Sequence, residues 1–317
     1  MRLSPPALLV LAGMTAAGKS ELAQAAALAL CGEVISADSA AIYRGLEIGT
    51  GKPGPRERQE VPHHCLDLRD PGEPFSVAEY RVEAEAAIAG CLGRGHLPLL
   101  VGGSGLYIRQ VLDRPTLAPV PPDAALRARL AQAPPGALHA RLAQLDPDAA
   151  RRLHPADTRR LIRALEVIAG TGQPASAFWQ QGAAVRRPCL LVVLDRPVAV
   201  LAARIAARAD RMLAAGLVAE VAGLLAAGLS PQAQSLQALG YRQTVAWLRA
   251  GGTLPALRQA IVAATVRFAK RQRTWFRREP GATWVDLGEA PAVEALPGVL
   301  RLVRRRTGPG EGKPPPA

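Results

Sequence analysis

The 317-residue sequence contains no asparagine, only four lysines (Lys19, Lys52, Lys270 and Lys313), four cysteines and 4% aromatic residues. Each shortage excludes something. Without asparagine there can be no N-K-x-D guanine-recognition motif, which sets a conventional GTPase aside. Cys31, Cys65, Cys91 and Cys189 form no C-x-x-C pair and no disulfide-framework spacing, the pattern of reduced thiols in a cytoplasmic protein. No apolar run approaches the roughly 18 residues that span a bilayer, so an integral membrane protein is excluded. Arg2, the apolar stretch 7–12 and the small residues beyond imitate a short signal peptide. Cleavage there would cut into the glycine motif described below, which argues against that reading.

What is present is the mix of a folded globule, 49% hydrophobic and 21% charged. The net charge is 39 − 26 = +13, and with so few lysines 39 − 4 = 35 of the cations are arginine. Such a balance signals either a polyanionic partner, whose condensed counterions clustered cations displace, or a compositional bias that scatters arginine without purpose. Distribution separates the two. Residues 1–120 hold 11 Lys+Arg against 13 Asp+Glu, a net of −2, whereas residues 121–317 hold 28 against 13, a net of +15. Bias alone would not sort charge this way.

The first part alternates strands and helices. Leu8–Leu11 is an apolar run before a glycine turn, residues 20–31 have helical periodicity with Gly32 as the stop, and Val34–Ala37 is a second strand ending at Asp38. Ser76 and Glu79 form a capping box flanked by Phe75 and Tyr80 at staple positions, which predicts a helix over about 77–92. Leu97–Val101 is a third strand, closed by Gly102-Gly103. This order predicts an α/β fold, a parallel sheet covered on both faces by helices. From about Pro115 a proline-rich link leads into arginine-rich helical periodicity up to about Phe178. Leu190–Leu194 reads as a buried strand, helical segments follow to about Arg278, and Trp284-Val285 makes a last strand. We therefore expect a core over 1–120, a helical insertion over 121–185, a return to the core with basic helices over 186–290, and a disordered Gly/Pro-rich tail over 307–317.

Gly13-Met14-Thr15-Ala16-Ala17-Gly18-Lys19-Ser20 matches G-x-x-x-x-G-K-[ST], the phosphate loop of P-loop NTPase-like folds. Its glycines let backbone N–H groups turn around a phosphate, the following helix presents its positive end, Lys19 adds a charge and Ser20 can ligate Mg²⁺. The motif indicates phosphate or pyrophosphate binding without naming the compound. Asp38, at a strand's carboxyl end, should face the same crevice. It could accept a proton there or simply cap the next segment, and spacing leaves the two readings even. The loop Gly102-Gly103-Ser104-Gly105 allows close approach to a ligand and offers a hydroxyl, yet a plain βα turn fits equally. His63-His64-Cys65 tempts a zinc reading, but adjacent side chains rarely converge on one ion and no second pair stands at ligand spacing, so a structural role is expected. Asp195 after Leu190–Leu194 resembles the acid that helps hold Mg²⁺ in many phosphate-loop ATPases, a pattern common by chance.

Basic residues concentrate in two places. Arg159, Arg160 and Arg163 crowd one short helix. Lys270-Arg271-Gln272-Arg273-Thr274-Trp275-Phe276-Arg277-Arg278 ends a longer one, where cations interleaved with Trp275 and Phe276 suit a backbone-tracking surface with stacking platforms. Each alone fits a solvated helix face. Together with the charge split they point to nucleic acid.

Several uncommon strings then fall in one order over about residues 8–278. They are Thr15–Ser20, Ile35-Ser36-Ala37-Asp38-Ser39-Ala40-Ala41-Ile42-Tyr43 running on to Gly49-Thr50, Pro62-His63-His64, Leu99–Tyr107, Gly240-Tyr241-Arg242-Gln243 and Lys270-Arg271-Gln272-x-Thr274-Trp275. In these the chain resembles the tRNA dimethylallyltransferases (isopentenyl-tRNA transferases). The resemblance implies transfer of a dimethylallyl group from its diphosphate to N6 of the adenosine 3′-adjacent to the anticodon in tRNAs reading codons that begin with U. Residues 13–20 would then hold an isoprenoid diphosphate, with Mg²⁺ near Ser20, and the insertion would be a tRNA-binding domain. Asp38 becomes the general base, Ser104 stands for the family's usual threonine, and Arg208 matches its pyrophosphate-binding arginine. The implied tRNA contacts are Asp38, Ser39, Ala40, Ala41 and Ser104; Arg159, Arg160, Leu161, Ile162 and Arg163; Gln237, Ala238, Leu239, Gly240, Tyr241 and Arg242; and Lys270 through Arg277, with Arg127 a weaker addition. Met14 replaces the usual proline, and Thr265-Val266-Arg267 displaces an arginine. The expected partners are the tRNA anticodon stem-loop and dimethylallyl diphosphate, in a cytoplasmic monomer away from membranes. A small-molecule or nucleotide kinase is the alternative, though it needs no +15 second part. An RNA-binding ATPase leaves Asp38 and Ser104 unexplained.

Overall fold

The computed structural model describes residues 8–114, 118, 120–180 and 186–307. The expected disorder over 307–317 falls, beyond Thr307, outside these residues. The chain divides into two compact units, one formed by residues 8–112 and 188–307 and the other by residues 113–187.

In the first unit the order is β1 (Leu9–Gly13), α1 (Lys19–Leu30), β2 (Gly32–Ala37), α2 (Pro55–Glu60), β3 (His63–His64), α3 (Val77–Gly93), β4 (Leu97–Gly102) and α4 (Gly105–Leu112). The second unit is helical: α5 (Ala124–Ala131), α6 (Ala137–Leu145), α7 (Pro147–Arg152), α8 (Thr158–Thr171) and α9 (Ala175–Gln180). The first unit resumes with β5 (Leu190–Asp195), α10 (Val198–Ala214), α11 (Leu217–Ala226), α12 (Tyr241–Ala250), α13 (Leu254–Phe276), β6 (Thr283–Asp286) and α14 (Leu296–Thr307).

The six strands form one parallel sheet in the order β3-β2-β4-β1-β5-β6. β1, β2, β4 and β5 are buried over nearly their whole length because helices cover both faces. One face is built on Val10, Ile35, Leu100 and Val193 with α3, α4, α12 and α13, the other on Leu11, Val34, Leu99 and Val192 with α1 and α14. Register carries the functional consequence. Ala12 lies beside Gly102 and Gly102 beside Ala37, so the chain leaves three neighbouring strands at the same edge, at Gly13, Asp38 and Gly103.

Local signals behave as the sequence dictates at α3: Ser76 Oγ accepts from Glu79 N (3.2 Å), Ser76 N donates to Glu79 Oε2 (2.8 Å), and Phe75 and Tyr80 are both buried. The end of α1 differs. The left-handed cap is Cys31, at φ 49°, and Gly32 already belongs to β2, where a Cβ would run into Leu97 and Leu99. The second unit has its own small core of Leu138, Leu142, Leu161 and Leu165. Its helices are capped by Asp123, Asp146 and Asp157.

At the amino end of the sheet a single carboxylate gathers four partners. Glu33, 1% exposed at the start of β2, receives the Arg94 fork at 2.8 and 2.7 Å, His64 Nε2 at 2.5 Å, His96 Nδ1 at 2.6 Å and Cys91 Sγ at 3.5 Å. Arg94 holds this carboxyl far below the usual carboxylate range against the opposing pull of burial, with His64, His96 and Cys91 adding to it. Glu33, His64 and Cys91 are close enough together to surround an ion. The Arg94 fork already occupies both oxygens, however, so the cluster ties β2, β3 and β4 together as a neutralised structural pin.

Candidate active site at the carboxyl edge of the sheet

The loop between β1 and α1 wraps tightly. Gly13 adopts φ 142°, and a Cβ there would meet the Leu194 carbonyl, so only glycine lets β1 lie against β5 and still turn. Ala16 takes φ 64°, a left-handed conformation that alanine adopts only where its surroundings impose it. Those surroundings are side chains on all sides. Lys19 Nζ donates to Met14 O (2.8 Å), Gln272 Oε1 accepts from Thr15 N (2.8 Å), Arg204 Nε donates to Ala16 O (2.9 Å) and Arg196 Nε to Ala17 O (2.9 Å).

Three further groups complete the crevice. Arg208, reaching from α10, donates to Thr50 O (3.0 Å) and lies 3.5 Å from Thr15 Oγ1. Asp38 Oδ1 accepts from Ala40 N at 2.9 Å, while Oδ2 takes no protein donor among the described residues. The capping and chemical readings of Asp38 are thus compatible, one oxygen serving each. Ser104 Oγ accepts from Ser39 N (3.3 Å), which leaves its proton free to donate. Burial lowers the Lys19 ammonium to about 8, with Asp38 opposing the shift and Arg208 reinforcing it. Arg208 is also pulled below its ordinary value by burial, and Asp38 again opposes. Lys19, Asp38 and Arg208 therefore share one electrostatic environment.

Some expected contacts face elsewhere. Gln272 is 6% exposed and joins the phosphate loop to the Gly103 carbonyl (2.9 Å); a Cβ on Gly103 would strike its amide. Arg273 is 18% exposed and holds Asp195 (2.5 Å). That pairing turns Arg273 away from the expected RNA surface and engages Oδ1 of Asp195. Phe276 is fully buried in the main core, and Trp275 packs under Arg109, whose guanidinium sits 4.6 Å from the ring. The expected stacking platforms are therefore covered. Leu161 is buried in the second unit's core. Gly240 and Tyr241 are buried, and the Tyr241 hydroxyl accepts from Gly49 N (3.0 Å) and donates to Glu220 Oε1 (2.6 Å).

In the second unit Arg127 and Arg163 both turn onto buried Glu166, Arg127 through two bonds of 2.8 and 2.9 Å. Against the upward push of burial, Arg127, the Asp123 N–H and Arg163 keep that carboxyl at about 2. Expected RNA contacts that do face solvent are Arg159, Arg160, Gln237, Arg242, Lys270, Arg271, Thr274 and Arg277, with Ser39 and the half-exposed Ala40 beside the crevice. Ala41 is buried, Ile162 is a half-buried apolar residue of α8, and Ala238 and Leu239 are half-buried in the turn before α12.

The sequence reading missed Arg196 and Glu220. Arg196 is fully buried behind the loop, and Glu220 Oε2 accepts from Glu47 N (3.1 Å) and Ile48 N (3.0 Å), ordering the segment that Arg208 touches. The only local signal for Arg196 is its place directly after a buried strand.

A parallel sheet with this loop, a carboxylate and a hydroxyl converging at one carboxyl edge is the arrangement of phosphate-loop proteins. A family model described as IPP transferase matches residues 41–279. A tRNA dimethylallyltransferase from Symbiobacterium thermophilum is 47% identical over 307 residues, covering 94% of this chain and 95% of that protein. One from Salinispora tropica is 48% identical over 296 residues, covering 92% and 91%. Among solved structures, a tRNA isopentenylpyrophosphate transferase from Bacillus halodurans aligns with TM-score 0.71 at 36% identity, covering 95% of this chain and 96% of that one. A eukaryotic dimethylallyltransferase acting on tRNA aligns with TM-score 0.81 at 25% identity, covering 96% and 81%. This chain belongs to the tRNA dimethylallyltransferase family.

Proposed function

We propose that this protein transfers a dimethylallyl group from dimethylallyl diphosphate to N6 of the adenosine 3′-adjacent to the anticodon, in tRNAs that read codons beginning with U. The observation that carries this reading is the strand register that sets the phosphate loop, Asp38 and Ser104 side by side. The reaction needs those three elements. The exocyclic amine of adenine is a weak nucleophile, so it must be oriented, relieved of a proton and offered a good leaving group. The free oxygen of Asp38 accepts the proton, and the Ser104 hydroxyl orients the base. The N6–carbon bond forms as the carbon–oxygen bond to the diphosphate breaks, and Lys19, Arg208 and the loop N–H groups stabilise the departing pyrophosphate. The base must leave its stack to reach this edge.

Mg²⁺ fits the donor set. Ser20 is exposed in the first turn of α1, and a hydroxyl with diphosphate oxygens and water makes the all-oxygen shell that this ion prefers. Mg²⁺ held there would neutralise charge on the leaving pyrophosphate. The exposed cations of α8, α12 and α13 supply phosphate contacts for the anticodon stem-loop. The kinase alternative is not favoured, since the relatives are transferases and a kinase leaves the second part's charge without a partner. Incubation with dimethylallyl diphosphate, Mg²⁺ and unmodified tRNA should add one five-carbon unit to the tRNA; no gain by folded protein refutes the proposal.

A further inference from the structure

Arg196 is a large charged residue in an unusual position. Its side chain is 1% exposed, directly behind the phosphate loop. Nε donates to Ala17 O at 2.9 Å and Nη1 to Gly288 O at 3.0 Å. Nη2 is buried with no hydrogen-bond partner, 3.6 Å from where a Cβ on Gly18 would stand. No carboxylate of the described residues forms an ion pair with it. The charges that reach it are Arg204, which is repulsive, and the more remote Glu21 and Asp286. Burial and Arg204 accordingly pull its guanidinium below the ordinary value.

Two physical arguments give this arrangement a purpose. In a trans peptide the C=O and the following N–H point in opposite directions. A donor that pins the Ala17 carbonyl on the rear of the loop therefore aims the Gly18 N–H into the crevice, where an anion would lie. Arg204 pins the neighbouring Ala16 carbonyl, whose following N–H, on Ala17, is held within the loop by Met14 O at 3.2 Å, so its part is to fix the loop's shape. The second argument concerns charge. A buried cation without a counterion is destabilising, and an unsatisfied buried N–H adds to that. Lys19 and Arg208 are desolvated nearby, and the positive end of α1 faces the same space. The site holds more positive charge than its own carboxylates balance.

We propose that Arg196 is a positioning residue for the donor diphosphate: it orients the Gly18 N–H through the Ala17 carbonyl and stores behind the loop a positive charge that the bound diphosphate compensates. Arg204 assists by fixing the neighbouring carbonyl. This rests on reading the loop as the diphosphate site, and the experiment separates the two.

The test is titration of the wild type, Arg196→Met and Arg196→Lys with inorganic pyrophosphate and Mg²⁺, alongside steady-state transfer to tRNA. The wild type should bind pyrophosphate. Failure there refutes the donor-site reading itself. Arg196→Met should weaken pyrophosphate binding about tenfold or more and raise KM for dimethylallyl diphosphate by a similar factor, while kcat and tRNA affinity change by less than about threefold. Arg196→Lys keeps the charge and one donor and should recover to within about threefold of the wild type. It also decides the matter if the Met variant does not fold, because a tenfold loss in the Lys variant contradicts the proposal. Wild-type pyrophosphate affinity in a folded Arg196→Met protein overturns the inference and leaves the donor-site reading intact. Equal losses for pyrophosphate and tRNA mark general damage and overturn it too.

Discussion

Glu33 and Arg196 are both charged, both 1% exposed and both at the margin of the same sheet, yet their surroundings are opposite. Glu33, at the amino end of β2, is ringed by Arg94, His64, His96 and Cys91, so its charge is cancelled within the protein. Arg196, just beyond the carboxyl end of β5, has two carbonyls and, among the described residues, no counterion. Nearby Lys19 and Arg208 are desolvated against a single half-buried carboxylate, Asp38. Where the sheet serves only structure, buried charge is saturated. At the edge where the diphosphate is proposed to enter, it is left incomplete. Burial alone does not distinguish a structural ion from a functional one; the state of its partners does.

That contrast can be broken from either end. The largest effect belongs to the carboxyl edge. Asp38→Ala should lower single-turnover transfer by about 10³-fold, ~4 kcal/mol of barrier, with tRNA affinity changed only a few-fold. Near-normal turnover removes Asp38 from the role of base. At the amino end, Glu33→Gln should cost stability rather than chemistry, ~3 kcal/mol in urea unfolding. The lower end of the range for a broken buried pair applies because half-exposed Arg94 can turn to water. The folded-state pKa of Glu33 is depressed, so its contribution is complete above the ordinary carboxylate range and fades as pH falls. The two unfolding curves should therefore converge in acid. Loss of turnover by a folded Glu33→Gln protein would contradict the division of labour.

A smaller effect is expected on the solvent face of α13. Replacing Arg271 and Arg277 together by alanine should weaken tRNA binding about tenfold at moderate salt and reduce the slope of log Kd against log[salt] by about 1.5–2. An unchanged slope makes this a solvated helix face. Smallest is the pH response of Lys19, whose pKa falls from 10.5 to about 8 on folding. Below about 8 it is charged in both states and the fold bears the cost of burying it. As pH rises from about 8 toward 10.5 the folded protein loses this proton first, so stability recovers while affinity for the donor declines. Donor affinity should drop a few-fold per unit across pH 8–9, and Lys19→Arg should flatten that part of the profile. An inflection that persists in the Arg variant assigns the titration elsewhere.

How much of this was legible in the sequence depends on whether a residue's role is set locally. The Ser76–Glu79 capping box, the strand ends at Gly13, Asp38 and Gly103, and the two-part split of charge are written in neighbouring residues, and the parallel sheet follows from them. The facing of α13 is not. Lys270, Arg271, Gln272 and Arg273 look alike as a basic run, but Gln272 turns to Thr15, 257 positions away, and Arg273 to Asp195, 78 away. No helical period could name those partners. The partner of Arg127 and Arg163 was equally hidden: Glu166, which pairs with both, is a buried acid within an apolar stripe. Arginine counts reported the partner correctly in bulk and gave no means of telling a gripping residue from a bracing one.

The bond between Gln272 and Thr15 has a kinetic meaning. The Thr15 N–H can serve one strong acceptor at a time, and its acceptor within the protein is the Gln272 amide oxygen at 2.8 Å. Any diphosphate oxygen that takes this N–H displaces Gln272, and its departure is matched by the side chain's return. On the proposed reading the loop would carry a tethered competitor for the diphosphate, which would limit how tightly spent pyrophosphate is retained and favour clearance of the site between turnovers.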